Sequence, residues 1–151
     1  MRELARWNES VSVGNLDIDK RHKHLFRLWQ VALDVLENEI FEKHKTREYL
    51  SDITEVMRRC FATEEILMAD NSCPLKKQHA AEHIVFCKQL TEVISQTTCD
   101  ADELHRVLQD WTSRHVPQMD VLCKDYFKPP NVTEALRVGN DRHRSFWVLP
   151  S

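Results

Sequence analysis

The chain has 151 residues, of which 42% are hydrophobic and 30% are charged, and only 2 are glycine and 5 are proline. This length fits a single domain, and the scarcity of glycine and proline favours long helices over strands and tight turns. The formal net charge of −3 gives no electrostatic basis for binding nucleic acid. No apolar run approaches the roughly 20 residues that span a bilayer, so we expect no membrane partner.

The N-terminal sequence and the cysteines indicate the compartment. Residues 1–7 lack the apolar core of a secretory signal. The 5 cysteines are odd in number and include no C-x-x-C pair, which favours free thiols in a reducing environment over a disulfide framework. We therefore expect a cytoplasmic protein; its protein partner, if it has one, is unknown from sequence.

The first elements in chain order are an arm and a helix. The arm covers residues 1–16, and Ser10–Asn15 is typical of extended chain that ends in a turn. From Leu16 to about Ile40, apolar residues recur at helical spacing and predict a first amphipathic helix.

The middle of the chain predicts two further helices. After a polar break at Glu42–Lys45, a second helix is expected to begin at Thr46 and to run to Met68. Pro74 suits the first turn of a third helix, which continues to about Ser95.

A fourth helix follows, with Asp100 as its N-cap and its end near Tyr126, before Pro129 and Pro130. The four predicted helices are similar in length and their connections are short. The sequence therefore predicts an all-α fold, an antiparallel up-down-up-down four-helix bundle in residues 1–126.

Residues 127–151 are expected to form a C-terminal tail that could hold one short helix, around Val132–Val138. The tail ends in an apolar cluster, Phe146–Leu149. We expect this cluster to dock on its own domain, and binding to a partner is the alternative.

Seven residues from four separate segments have the side chains that a pair of iron ions requires. Carboxylates can bridge two metals while imidazoles cap them, a ligand mix that both ferrous and ferric iron accept. The seven candidate ligands are His22, Cys60, Glu64, His79, His83, His115 and Asp120.

The spacing of four of these residues places them in pairs on helix faces. His79 and His83 are four residues apart, which separates them by about 40° around a helix, so both imidazoles can reach one metal. Cys60 and Glu64 repeat this spacing on the second helix.

His115 and Asp120 have a different spacing. They are five residues apart, or about 140° around a regular α-helix. Both can face one metal only if the fourth helix widens locally, and we therefore predict a π-bulge there.

A purely structural role for the seven residues is the alternative interpretation. It would bury several carboxylates and imidazoles in a bundle core at a cost of about several kcal/mol, so the metal site is favoured. The remaining histidines are interpreted as ordinary surface or core residues; they are His24, His44, His105 and His143.

The ordered set of motifs resembles the bacterial hemerythrins over roughly residues 7–126. Any one of these motifs alone would be weak, but their order and gaps are specific. The segments that carry the resemblance are Trp7, Ser12–Gly14, Ile18–Leu25, Phe61–Met68, His79–Phe86, Trp111, His115–Val116 and Asp120.

The resemblance implies a diiron centre, oxo- or hydroxo-bridged when ferric, whose partner is dioxygen. In the family, one iron carries three histidines, which correspond here to His79, His83 and His115. The other iron carries two further ligands, which correspond to His22 and Cys60, and keeps an open position for dioxygen. Two carboxylates bridge the ions, and they correspond to Glu64 and Asp120.

The chain departs from the family pattern at two positions. Cys60 stands where the family has histidine, on the iron that binds dioxygen, and Thr112 stands where the family usually has leucine. The expected oxygen pocket consists of Leu25, Phe61, Trp111, Thr112 and Val116. A thiolate at Cys60 would lower the iron potential, whereas an unbound thiol would leave that iron weakly held. Oxidation of Cys60 by the oxidants that its own iron makes is a third alternative.

The leading interpretation is a diiron protein for oxygen binding, storage or sensing. Cys60 and Thr112 are expected to make its binding of dioxygen less reversible than in typical members, because polar groups help to expel reduced oxygen from a pocket. One alternative is a diiron redox enzyme that reduces dioxygen, peroxide or nitric oxide, although no catalytic residue is assigned. Another alternative is a redox or oxygen sensor that acts through a partner.

Overall fold

The computed structural model describes residues 2–128, and the predicted tail helix at Val132–Val138, the cluster at Phe146–Leu149 and the prolines 129 and 130 lie outside the described residues. The bundle consists of α1 (Leu16–Glu37), α2 (Lys43–Asp70), α3 (Lys76–Ser95) and α4 (Ala101–Asp110). A π-helical segment, Trp111–Asp120, continues α4 directly.

The helices pack in the order that their short connections impose. Each helix contacts the next along the chain, and α4 also packs on α1, which closes the bundle. Between residues 2 and 128 there is no strand, so the predicted all-α, antiparallel up-down-up-down four-helix bundle is confirmed. Within this part of the chain, every helix is too short or too polar to cross a lipid bilayer.

Two helix boundaries differ from the prediction. Helix α1 ends at Glu37 rather than near Ile40, whose side chain is exposed. Helix α2 begins at Lys43, so most of the predicted polar break belongs to its first turn. Long charged residues are good helix formers, and Thr46 is the first residue of α2 that is buried, which is why the apolar pattern alone placed the start too late.

The start of α3 differs slightly from the prediction, and the start of α4 agrees with it. Helix α3 begins at Lys76, and Pro74 lies in the turn before it rather than in its first turn. Asp100 is the N-cap of α4 as predicted, and its carboxylate accepts hydrogen bonds from the backbone N–H groups of Asp102 and Glu103.

The N-terminal arm is anchored to the start of α1. It contains a 3₁₀ turn at Glu9–Val11 where extended chain was expected, and Gly14 has a positive φ of 73°. The Asn15 side chain caps α1, and the Asp19 carboxylate accepts a hydrogen bond of 2.9 Å from the Val13 backbone. These contacts fix the first turns of α1, which carries His22.

The chain end after the π-helical segment also joins the bundle. Asn15 Nδ2 donates to the Phe127 carbonyl at 2.6 Å, and Asn71 Nδ2 donates to the Tyr126 carbonyl at 3.0 Å. Phe127 is fully buried, so the packing of the bundle extends one residue beyond the predicted boundary at residue 126. The division into a bundle and a tail stays a prediction.

Two apolar clusters fill the interior. The larger contains residues such as Leu33, Leu50 and Leu90, and the smaller contains Ile18 and Met68. Cys60 belongs to the larger cluster, and the other six candidate ligands are buried polar residues, so the core combines apolar packing with a set of buried polar groups.

Candidate metal centre

All seven predicted ligands are buried in the bundle core, with exposed fractions between 0% and 3%. Buried charged and imidazole groups are expensive unless they pair with each other or with a metal. The structure brings the whole predicted set together, namely His22, Cys60, Glu64, His79, His83, His115 and Asp120.

The seven side chains form two overlapping donor groups. In each group the ligand atoms lie within 4.8 Å of one another. We call one group the three-histidine half and the other the cysteine half, and Glu64 belongs to both. The members are Glu64, His79, His83, His115 and Asp120 in the three-histidine half, and His22, Cys60 and Glu64 in the cysteine half.

Glu64 directs one oxygen to each half. Its Oε1 lies 3.5 Å from His79 Nε2 and 3.3 Å from His83 Nε2. Its Oε2 lies 3.1 Å from His22 Nε2 and 3.5 Å from Cys60 Sγ. This is the arrangement that a carboxylate bridging two ions requires.

Asp120 is divided in the same way. Its Oδ1 lies 2.8 Å from His79 Nε2 and 3.2 Å from His115 Nε2. Its Oδ2 lies 3.5 Å from His22 Nε2. The two carboxylates therefore face both halves from different helices.

The π-helical segment brings His115 and Asp120 to the centre, and the predicted local widening is confirmed. Hydrogen bonds between residues five apart place such residues near one face. The Val121 N–H, for example, donates to the Val116 carbonyl. Pro117 lies inside the segment and has no N–H to donate, a signal of an irregular helix that the sequence analysis did not use.

The orientation of several ligand atoms tests whether a metal fits. These atoms are buried close together, yet they have no hydrogen-bond partner with correct geometry within residues 2–128. An ion placed between these nitrogen and oxygen atoms would bind them and so compensate for the hydrogen bonds that they lack. They are His79 Nε2, His83 Nε2, His115 Nε2, Glu64 Oε1, Asp120 Oδ1 and Asp120 Oδ2.

Two carboxylates outside the ligand set hold histidines of the three-histidine half. His83 Nδ1 lies 2.9 Å from Glu65 Oε2, and His115 Nδ1 lies 3.1 Å from Glu82 Oε1. An acceptor at Nδ1 fixes the tautomer that leaves Nε2 free for a metal. Arg114 also donates to Glu82 at 3.0 Å. Sequence reasoning missed both glutamates, although each directly precedes or follows a predicted ligand.

Between residues 2 and 128, His79 and His22 lack a carboxylate partner at Nδ1. His79 Nδ1 lies 3.4 Å from the sulfur of Cys123, a weak partner that the sequence did not reveal. In the described part of the chain, His22 Nδ1 is buried without a hydrogen-bond partner. The cysteine half is therefore less firmly oriented than the three-histidine half.

The charges at the centre shift the pKa values of its ligands. Burial by itself would raise the pKa of Glu64, but close polar contacts with His22, His79 and His83 hold it well below its usual range. Burial would lower the pKa of His79, but contacts with Asp120 and Glu64 raise it to about 11. Without metal, the site thus favours ionised carboxylates and a protonated His79.

The Cys60 thiol has the opposite tendency to the carboxylates. Its burial raises its pKa well above the usual value, and the charges of Glu64 and Asp120 raise it further. The charge of the buried Arg21 lowers the same pKa. Cys60 is therefore a neutral thiol until a cation replaces its proton.

The five residues predicted to form an oxygen pocket are all buried, and two of them contact the ligands. Phe61 stacks on His83 with ring centroids 3.8 Å apart, and Trp111 meets His22 edge-on at 6.0 Å. The Thr112 hydroxyl donates to the Gln109 carbonyl at 3.4 Å. Their role as an oxygen pocket stays a prediction.

Two curated relatives are similar to this chain, and both are bacteriohemerythrins. The protein from Pseudomonas paraeruginosa is 26% identical over 117 residues, which cover 76% of this chain and 75% of the relative. The protein from Aquifex aeolicus is 28% identical over 123 residues, which cover 78% of this chain and 92% of the relative. The matches support a bacterial hemerythrin-like family. The resemblance inferred from the motifs is thereby confirmed.

No family model and no solved structure matches the chain. The assignment to a hemerythrin-like family therefore depends on the two relatives, together with the helical bundle. Hemerythrin homologues imply iron binding, and the His, Glu and Asp cluster of this chain could hold a metal.

Proposed function

We propose that this hemerythrin-like protein is a non-haem diiron protein that binds dioxygen or responds to it. The division of Glu64 and Asp120 between the two halves carries the proposal, because each carboxylate offers one oxygen to either ion. The similarity to two bacteriohemerythrins supports iron as the metal.

The residues that would hold the ions differ between the halves. His79, His83 and His115, together with one oxygen from each carboxylate, would hold the first ion. His22 and Cys60, with the remaining oxygens, would hold the second and leave it a free position. Iron bound there would supply electrons, one from each ion, and a place for dioxygen.

The protein around the centre has two tasks in this function. The ring of Phe61 stacks on His83 and Trp111 meets His22 edge-on, and these two rings would keep water away from bound ions. Exclusion of water protects a reduced oxygen species from protonation and release. The carboxylates of Glu64 and Asp120 would neutralise part of the charge of two bound cations in this buried site.

Cys60 is expected to make the binding of dioxygen less reversible. Once a cation displaces its proton, the thiolate adds a negative charge where the family has a neutral imidazole. Negative charge stabilises ferric over ferrous iron, and the reduced protein should therefore oxidise readily. This same residue supports the alternative function, a diiron redox enzyme that reduces dioxygen, peroxide or nitric oxide.

Anaerobic metal loading followed by mixing with air tests the proposal. Protein that has taken up two ferrous ions per chain should give an oxygenated optical spectrum that persists for longer than the mixing time. Continued consumption of dioxygen with added reductant would instead favour the enzyme. Failure to retain iron after removal of free metal would reject a diiron protein of either kind.

A further inference from the structure

The two halves of the centre offer different donor atoms. The three-histidine half presents three imidazole nitrogens and two carboxylate oxygens to one ion. The cysteine half presents His22 Nε2, Cys60 Sγ and Glu64 Oε2, and Asp120 Oδ2 lies 3.5 Å from His22 Nε2. One ion would thus meet only nitrogen and oxygen, whereas the other would meet nitrogen, oxygen and sulfur.

This difference in donors implies a difference in metal preference. A thiolate is a soft ligand that selects zinc, and a set of four donors with sulfur, nitrogen and oxygen matches the tetrahedral coordination that zinc prefers. Divalent zinc also lies above divalent iron in the general order of affinities. Five nitrogen and oxygen donors exceed what a tetrahedral ion uses, and they suit an iron ion of higher coordination number.

We infer that zinc competes with ferrous iron for the cysteine half, and that the three-histidine half keeps iron, giving a mixed iron–zinc centre. This inference rests on the proposed function, and it adds a means of regulation. Zinc has no redox chemistry, so a mixed centre has one electron to give instead of two. Zinc availability would therefore decide what fraction of the protein responds to dioxygen.

The surroundings of Cys60 fit a site that a cation completes. At a metal-free cysteine half, Cys60–SH and Zn²⁺ would give Cys60–S–Zn⁺ and H⁺. Where ferrous iron already occupies the half, Cys60–S–Fe⁺ and Zn²⁺ would give Cys60–S–Zn⁺ and Fe²⁺, so the sulfur–iron bond breaks and Fe²⁺ leaves to solvent with no change in protons.

The cysteine half is also the less firmly oriented of the two. His83 and His115 each have a carboxylate at Nδ1, but within residues 2–128 no hydrogen-bond partner reaches His22 Nδ1. Outer partners of this kind typically change metal affinity about 10- to 100-fold. The cysteine half, whose histidine lacks such an outer partner, should exchange its ion more readily, so zinc should replace iron there first.

A competition experiment tests the metal preference. The full chain is loaded anaerobically with two ferrous ions, treated with one equivalent of Zn²⁺, freed of unbound metal and analysed for both elements. We expect one iron and one zinc per chain. The Cys60→His variant should need at least about tenfold more zinc to lose the same iron, since a lost sulfur ligand matters at least as much as an outer partner.

The position of the zinc is tested by X-ray absorption at the zinc edge. Wild-type protein should show a sulfur neighbour at about 2.3 Å. The matched control Cys87→Ser, which removes a half-buried cysteine that is not among the candidate ligands, should show it as well. Cys60→Ser, a change of one atom, should lose it.

Two results would overturn the inference. One is zinc without a sulfur neighbour in the wild-type protein, a measurement that needs no variant to fold. The other is equal loss of iron to zinc in wild type and Cys60→His. Iron retention in the absence of zinc is measured separately: if iron is retained, the proposed diiron function stands even when the inference fails, whereas failure to retain iron rejects that function itself.

Discussion

The three-histidine half and the cysteine half of the centre share two carboxylates but are built differently. His83 and His115 are each oriented by an outer glutamate, and their Nε2 atoms converge on the oxygens of Glu64 and Asp120. The cysteine half has one imidazole without such support and one thiol that must lose a proton. The comparison indicates that His83 and His115 are oriented before metal binds, whereas His79 in the same half and Cys60 in the other must each give up a proton to the metal.

The shared carboxylates explain why the two halves nevertheless act as one centre. Each carboxylate lies on a different helix, Glu64 on α2 and Asp120 in the π-helical segment, and each faces both halves. An ion in the three-histidine half would fix the oxygens that the second ion needs. Occupancy of the first half should therefore favour binding in the other.

The largest expected effect comes from removing a shared carboxylate. Glu64→Ala should reduce iron in both halves by more than about tenfold, at least the usual effect of an outer partner, because each half loses an oxygen. Asp120→Ala should act similarly. Iron per chain after removal of free metal is the measurement, and His24→Ala is the control. Equal iron in all three variants would contradict the bridging roles.

Chelation of the metal should destabilise the whole bundle. The metal-free protein keeps converging polar atoms buried without partners, at about 1–3 kcal/mol for each uncompensated group. A net loss of about 3 kcal/mol corresponds to a fall in Tm of roughly 10 °C for a chain of this size. Thermal unfolding followed by circular dichroism with and without chelator measures it. An unchanged Tm would show that the site is equally stable empty.

The next effect concerns the cysteine half alone. Cys60→His should extend the lifetime of the oxygenated protein by at least about tenfold, because a unit charge about 4 Å away contributes on the order of 4 kcal/mol at a dielectric constant near 20. It should also remove a sulfur-to-iron charge-transfer band from the ferric protein. If spectrum, iron content and oxidation rate all stay the same, Cys60 has no part in the chemistry.

A smaller effect is expected from the outer glutamates of the three-histidine half. Glu82→Gln and Glu65→Gln each weaken the acceptor at a histidine Nδ1, so each should lower iron affinity about 10-fold, at the lower end of the usual range. Competition with a ferrous chelator measures the affinity. Asp110→Asn is the control, because Asp110 binds Arg114 but no ligand. An effect of the control as large as that of Glu82→Gln would assign the loss to Arg114 instead.

Much of this centre was predictable because it depends on residue type and helical spacing. Four-residue spacing placed His79 beside His83 correctly, and the five-residue spacing of His115 and Asp120 correctly required a wider helix. The glutamates at positions 65 and 82 were not predicted, because exposed and site-facing charges look alike until the rotation of each helix is known. The start of α2 was wrong for a similar reason, since its first turn carries no apolar signal.

The smallest effect is expected at Thr112, because its hydroxyl is hydrogen-bonded and should affect the binding of dioxygen less than the sequence alone suggested. A free hydroxyl beside the ions would promote release of reduced oxygen, but this hydroxyl donates to the Gln109 carbonyl. Thr112→Val keeps the side-chain shape and removes the hydroxyl, and it should slow oxidation of the oxygenated protein by less than about threefold, or below roughly 0.7 kcal/mol. The rate of loss of the oxygenated spectrum measures this. Slowing by tenfold or more would mean that the hydroxyl leaves Gln109 and acts on the pocket. In that case Thr112 in the π-helical segment would contribute as much as Cys60 to the loss of reversible dioxygen binding.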